Sequence, residues 1–371
     1  MLWTTPILGA MESAHTTDVA RRYATFAATE TPRHSPVMQA WAAGVATDAE
    51  VVALIETLPP RQRQPNLVLA AARMVEPGLV DPHQRDARPD EYEQVRRVLV
   101  ERWDEVAAIT ATHHTQTNEA GRLAVVMPAL SALAARHPGQ EFALIEIGAS
   151  AGLALHPQWW RFRYLDRAGR PLAEFGDPAH PELGVTVKNH LDSPDPVQVP
   201  PVPVPEELAP IRWRLGVDLN PLDPLNPSTA RWLRTLIWPG QSHRLARLEH
   251  ALSAARHDPV LVLARDLTDP QMLDEILALV PRDLTPVLMH GAVLAYVPDD
   301  QRQAFGERVL DRVTAGELHW VSNEGAAVVP QVVQALAERP DFTARLRPGA
   351  FVVSIDSVPV YQADGHASWV L

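Results

Sequence analysis

The stretch Glu141–Leu155, EFALIEIGASAGLAL, constrains the fold more than any other part of the chain. Phe142-Ala143-Leu144-Ile145 is a continuous apolar run and predicts a buried strand. Glu146 stands at its end. Gly148-Ala149-Ser150-Ala151-Gly152 then makes a turn of small residues leading into a second apolar segment. Strand, glycine turn, helix is the entry to many ligand-binding α/β domains. The same five residues also read Gly-x-Ser-x-Gly, the pattern of a nucleophile elbow. The turn is therefore either a backbone cradle for a ligand or a mount for a serine nucleophile.

Hydrophobic periodicity divides the chain at about residue 138. Before it, every segment reads as helical. Val19, Tyr23, Phe26 and Ala27 share one helical face, and Pro36–Ala43 makes a short helix closed by Gly44. Thr47-Asp48-Ala49-Glu50 is a capping box that opens a helix to about Leu58. Further helices are predicted over Asn66–Val75, from Asp90 to about His113, and from Thr117 or Asn118 through Arg136. After Pro138-Gly139, strands at 142–147, 211–217, 260–264, 286–290, 317–322, 350–356 and 367–371 are interleaved with helical segments, the first of them at about 152–160. That alternation implies a parallel-dominated sheet covered on both faces. The chain thus reads as an all-helical N-terminal domain over 11–138 and a Rossmann-like α/β domain over 139–371. Residues 161–210 form an insertion rich in proline, among them Pro194, Pro196, Pro200, Pro201 and Pro203. It predicts an extended polyproline segment, either a rigid connection or a flap over the site.

Composition removes several function classes. A net charge of −12 argues against a general nucleic-acid binder. With no cysteine there is no disulfide, thiolate metal site or cysteine nucleophile, which fits a cytoplasmic protein. The N-terminus lacks the basic start of a signal peptide, and no apolar run of about 18 residues predicts a membrane span. His113-His114 has no partners at metal-ligand spacing, so no metal site is expected.

Carboxylates recur where the later strands end. Leu215-Gly216-Val217-Asp218-Leu219-Asn220-Pro221 closes the second strand, Leu261 to Thr268 with Asp266 the third, and Pro286 to Pro298 with His290 and Tyr296 the fourth. This succession resembles that of class I S-adenosylmethionine-dependent methyltransferases. There a glycine turn lets the backbone approach the methionine part of the cofactor, where a side chain would clash. On this reading Glu146, Gly148, Ser150 and Gly152 hold the methionine part, Asp218 the ribose and Asp266 the adenine edge. Asn118, Arg122, Trp238, Tyr296 and His366 are candidates for the small-molecule substrate wall, and His290 and Glu324 for a base. The helical domain would serve as a lid. Plainer roles exist for some of these residues: Thr117, Asn118 and Glu119 as a helix cap, Trp232 and Trp238 as core anchors.

Two other classes stay open. A serine hydrolase would use Ser150 with His290 or His366 as base and Asp266 or Asp356 as orienter. Against it, helices stand where that fold has strands, and no oxyanion segment lies upstream. A non-catalytic nucleotide-binding protein would bind and not turn over.

Taken together, Thr117-Asn118-Glu119 with Arg122, Leu144 to Leu153, Gly216 to Pro221, Arg231-Trp232-Leu233 with Trp238-Pro239, His290 to Tyr296, and Gly365 to Trp369 resemble a bacterial family, domain of unknown function 2332. The resemblance spans about residues 15–371. Leu153-Ala154-Leu155 departs from the Leu-Asn-Leu expected there. It implies a methyltransferase-like fold and carries no assigned activity.

Overall fold

The computed structural model describes residues 17–32, 34–116, 118–188, 202, 204–365 and 367–371. The chain divides into two compact units, Met1–Thr115 with Arg231–Leu245, and Gln116–Ala230 with Ala246–Leu371.

The first unit is helical: α1 (Asp18–Thr29), α2 (Pro36–Thr47), α3 (Ala49–Glu56), α4 (Pro65–Val75), α5 (Glu91–Glu101) and α6 (Trp103–Thr112), joined by the returning segment 231–245. Tyr23, Met38, Trp41, Ile55 and Leu99 fill its core. The cap of α3 is Asp48 rather than Thr47: its Oδ1 accepts the Glu50 and Val51 amides, both at 3.1 Å. Gly44 does not close α2 but lies inside it. A Cβ there would overlap the Tyr92 ring, so glycine serves close packing of α5 on α2. The helix predicted from Asp90 to His113 breaks at Arg102, whose guanidinium Nη1 donates to Val75 O at the end of α4 (3.0 Å).

The second unit carries α7 (Arg122–Arg136), β1 (Phe142–Ile147), β2 (Arg161–Leu165), β3 (Pro171–Phe175), β4 (Glu182–Val187) and β5 (Ile211–Asp218). Then follow α8 (Pro227–Leu236), which from Arg231 on belongs to the first unit, α9 (Ser242–His257), which belongs to the second from Ala246, β6 (Val262–Ala264), α10 (Met272–Leu277), β7 (Thr285–Gly291), α11 (Asp299–Thr314), β8 (His319–Gly325), α12 (Pro330–Ala337), α13 (Pro340–Thr343), β9 (Phe351–Ile355), β10 (Val358–Ala363) and β11 (Trp369–Val370). The described strands form one sheet in the order β3-β2-β4-β11-β10-β9-β8-β7-β1-β5-β6. From β6 to β8 all pairs are parallel. This is the expected α/β, Rossmann-like core.

The sheet runs further than the strand pattern predicted. Residues 161–187 are not polyproline: they form β2, β3 and β4, and β11 ties β4 to β10. Arg161-Phe162-Arg163-Tyr164-Leu165 alternates polar and apolar residues, a strand signal that lay in the sequence. Five of the ten prolines of the insertion, Pro194, Pro196, Pro200, Pro201 and Pro203, lie outside the described residues. β10 was also missed. Asp356 and Ser357, at φ 52° and 66°, make the two-residue turn that pairs β9 with β10. The helix predicted over 152–160 is two short 3₁₀ turns, because Pro157 lacks the amide that a continuing helix needs.

One face of the central strands packs Ile145, Ile147, Leu215, Leu288 and Trp320 against α10, α11 and α12. On the other lies α7, which contains Pro128. Proline has no amide to give the carbonyl four residues back. That carbonyl, Ala124 O, accepts instead from the buried Tyr164 hydroxyl of β2 at 2.8 Å, and Val125 O accepts from the Tyr361 hydroxyl of β10 at 2.6 Å. Tyr164→Phe leaves a buried carbonyl unpaired and is expected to lower stability by about 1–3 kcal/mol. Urea melts in a Pro128→Ala background check the cause: alanine restores the amide, so the same substitution costs less there. An equal loss in both backgrounds would rule this pairing out as the reason.

Candidate ligand site at the carboxyl ends of the central strands

The chain leaves β1 for β5 and β6 on one side and for β7 and β8 on the other. Strand order therefore reverses between β1 and β7, where loops diverge and open α/β sheets bind ligands. Two non-glycine residues hold left-handed backbone at this point, Ser150 (φ 52°) after β1 and Ala292 (φ 55°) after β7. Such strain persists where the surroundings over-determine it, and it clusters at functional sites. Glu146, Gly148, Asp218, Gly291, Ala292 and Val293 are only half-buried here, although they end central strands.

The turn itself is tightly made. Gly148 N and Ala149 N donate to Val217 O (2.8 and 3.1 Å), and Gly152 N to Ala149 O (2.7 Å). Ser150 N donates to Asp218 Oδ2 (2.8 Å), and Ala151 N to Asn118 Oδ1 (3.1 Å). Every amide from Gly148 to Gly152 thus has a partner within the protein. Gly148, at φ 73°, has no room for a side chain, since a Cβ would stand 2.5 Å from Val293 Cγ2. Gly216 allows the same closeness from β5, where a Cβ would meet that of Ala149 at 2.9 Å.

Asn118 does not cap α7, which begins at Arg122. Its amide bridges the turn instead, donating to Ser150 Oγ at 2.8 Å while accepting from Ala151 N. Gln116, which no sequence pattern marked, donates to Asp218 Oδ1 (3.2 Å) and Asn220 O (2.9 Å). Asn220 answers through Nδ2 to Gln116 Oε1 (3.1 Å). Asp218, predicted as a ribose ligand, is thus also a structural tie between the turn, Gln116 and the start of the next loop. Its Oδ2, with one donor among the described residues, keeps lone-pair capacity.

Glu146 lies on the face of β1 opposite Ile145 and Ile147. Its Oε2 is covered and has no partner among the described residues. Burial pushes its carboxyl up to about 8; the Arg122 guanidinium pulls the other way, and the Asp218 carboxylate adds to the rise. Arg122, the first residue of α7, also reaches Gly291 O at 3.4 Å.

His290 and Glu324 meet on the other face. His290 Nδ1 lies 2.9 Å from Glu324 Oε1, which also accepts Val293 N (3.0 Å) and Leu294 N (3.1 Å). Both residues are fully buried, and the rings of Phe305 and Trp320 flank the imidazole.

The remaining candidates lie apart from this constellation. Asp266 is exposed and spends Oδ1 on Thr268 N and Oγ1, both at 2.8 Å. Tyr296 is exposed at 78%, so it has no fixed wall to belong to. Trp238 belongs to the first unit, where its Nε1 donates to Asn66 Oδ1 (2.9 Å) beside Phe26. His366 lies outside the described residues. Among those described, no group of His, Asp and Glu is arranged to hold a metal, and no helix is long and apolar enough to cross a membrane.

A bacterial family described as uncharacterized protein conserved in bacteria (DUF2332) matches residues 20–371. No curated protein matches the chain.

Proposed function

The chain belongs to the DUF2332 family, and we propose that it binds S-adenosylmethionine in the crevice between β1 and β7 and transfers its methyl group to a small molecule. The observation that carries this reading is the polarity of the crevice. Its turn has no amide left to offer, whereas the half-buried Glu146 carries a carboxyl oxygen with no partner among the described residues. Phosphate-binding turns do the reverse and aim their amides at the ligand. A site with acceptors and no turn donors favours a cation, and adenosylmethionine carries an ammonium and a sulfonium.

Glu146 would hold the ammonium and Arg122 the carboxylate, since the Arg122 guanidinium acts electrostatically on the Glu146 carboxyl and so lies near it. Asp218 would offer the remaining lone pairs of Oδ2 to a ribose hydroxyl. When bound, the cofactor supplies a methyl group on an electron-poor sulfur. The protein's task is then to align the acceptor and exclude water, which needs positioning more than proton transfer. The same geometry speaks against a hydrolase. Ser150 has the left-handed φ of an elbow, but its Oγ is bonded by Asn118, and the amide after it, the usual oxyanion donor, is taken by the same side chain.

Calorimetry with adenosylmethionine and adenosylhomocysteine tests the reading. Wild type is expected to bind both, and Asp218→Ala to bind at least about tenfold more weakly, because it loses a ligand contact and the tie to Ser150. No binding by wild type would overturn it.

A further inference from the structure

We infer that Glu324, steadied by His290, is a positioning residue that shapes the Gly148–Gly152 turn through Val293. This rests on the β1–β7 crevice being the ligand site, but it concerns the protein without ligand. One carboxyl oxygen, Glu324 Oε1, accepts the amides of Val293 and Leu294 and lies 2.9 Å from His290 Nδ1. Glu324 Oε2 and His290 Nε2 have no partner among the described residues, and the pair is 1% and 0% exposed. A base must touch the group it deprotonates, and no reagent reaches this pair as it stands.

What the pair does reach is the backbone after β7. Two hydrogen bonds to one carboxyl oxygen hold Val293 and Leu294 just beyond Ala292, whose φ of 55° is strained for a residue with a side chain. The loop so fixed presents Val293 to Gly148. The Val293 Cγ2 and Cβ stand 2.5 and 2.7 Å from the point where a Gly148 Cβ would be. The contact therefore runs from Glu324 on one face of the sheet, through the 292–294 backbone, to the turn at the crevice. Releasing the loop withdraws the wall against which Gly148 is set.

Amide hydrogen exchange on the ligand-free protein tests this, and its result does not depend on whether adenosylmethionine binds. Glu324→Leu removes the acceptor and is expected to speed exchange about tenfold or more over 292–296 and also over 148–152. Glu324→Gln keeps an oxygen for the two amides and is expected to restore protection to both segments. Val293→Ala leaves the buried pair intact and is expected to loosen 148–152 alone, with 292–296 still protected. If Glu324→Leu frees 292–296 and leaves 148–152 unchanged, the proposal is overturned. Should that variant loosen the whole sheet, Val293→Ala decides: an unchanged 148–152 segment then refutes the link.

Discussion

Adenosylhomocysteine is expected to bind more tightly as the pH rises towards 8, with release of close to one proton per ligand at pH 7. The source is Glu146, whose carboxyl burial raises to about 8. At pH 7 it is mostly protonated, and a ligand ammonium needs the carboxylate. Binding must therefore expel the proton, so affinity rises by about tenfold per pH unit below 8. Above that Glu146 is already ionised and affinity levels off, until the ligand's own amine begins to lose its charge. Glu146→Gln should remove the proton release and flatten the rising limb. Calorimetry in buffers of different ionisation enthalpy reads both. Equal proton counts for wild type and variant would exclude Glu146 as the receptor.

The same shift acts on stability with the opposite benefit. A carboxyl whose pKa is higher folded than unfolded contributes stability that is complete below the unfolded value of 4.5 and is lost as pH rises to about 8. The loss is on the order of 4–5 kcal/mol by pH 8 and levels off above it. Glu146→Gln avoids it, so the variant should match wild type near pH 4 and exceed it at pH 8. A residue that destabilises the free protein while enabling binding is the trade expected at a functional site.

Gly148→Ala is expected to be strongly destabilising. Two penalties combine. The residue must hold φ 73°, at about 1 kcal/mol or more for an alanine. Its Cβ would also overlap Val293 at 2.5 Å, and overpacking of this kind costs about 1–3 kcal/mol. Ligand binding should fail with it, since the cradle is displaced. The two terms separate in a double variant: Val293→Ala relieves the overlap and not the backbone strain, so Gly148→Ala/Val293→Ala should regain part of the stability. Denaturant melts of the four proteins in the cycle measure this. Purely additive losses would show that Val293 does not set the turn.

The local features of the site were legible and the long-range ones were not. Strand, acid and glycine turn lie within Phe142–Gly152, so local pattern identified Glu146, Gly148 and Ser150 together. Asp218 followed from the same rule at the next strand. Its tie to Ser150 N spans the whole insertion, and no local pattern encodes it. Asn118 sat in a plausible helix cap, and only the fold shows that its amide bridges the turn. Gln116 and Val293 carried no signal at all, because their importance comes from what the fold brings beside them. His290 and Glu324 were singled out as candidate bases at strand ends. Their full burial, and so their role in holding backbone, depends on α11 and Trp320 packing over them. The larger sheet was partly legible: β2 had its alternating pattern, but proline later in the segment outweighed it.

The cationic preference of the crevice is tested most directly by calorimetric titration of wild type at pH 8 with adenosylmethionine and, separately, with adenosine triphosphate. The two share adenosine and differ in charge. A glycine turn with no free amide, backed by the Glu146 carboxylate, should bind adenosylmethionine and leave the triphosphate unbound. Binding of the triphosphate without adenosylmethionine would contradict this reading of the site.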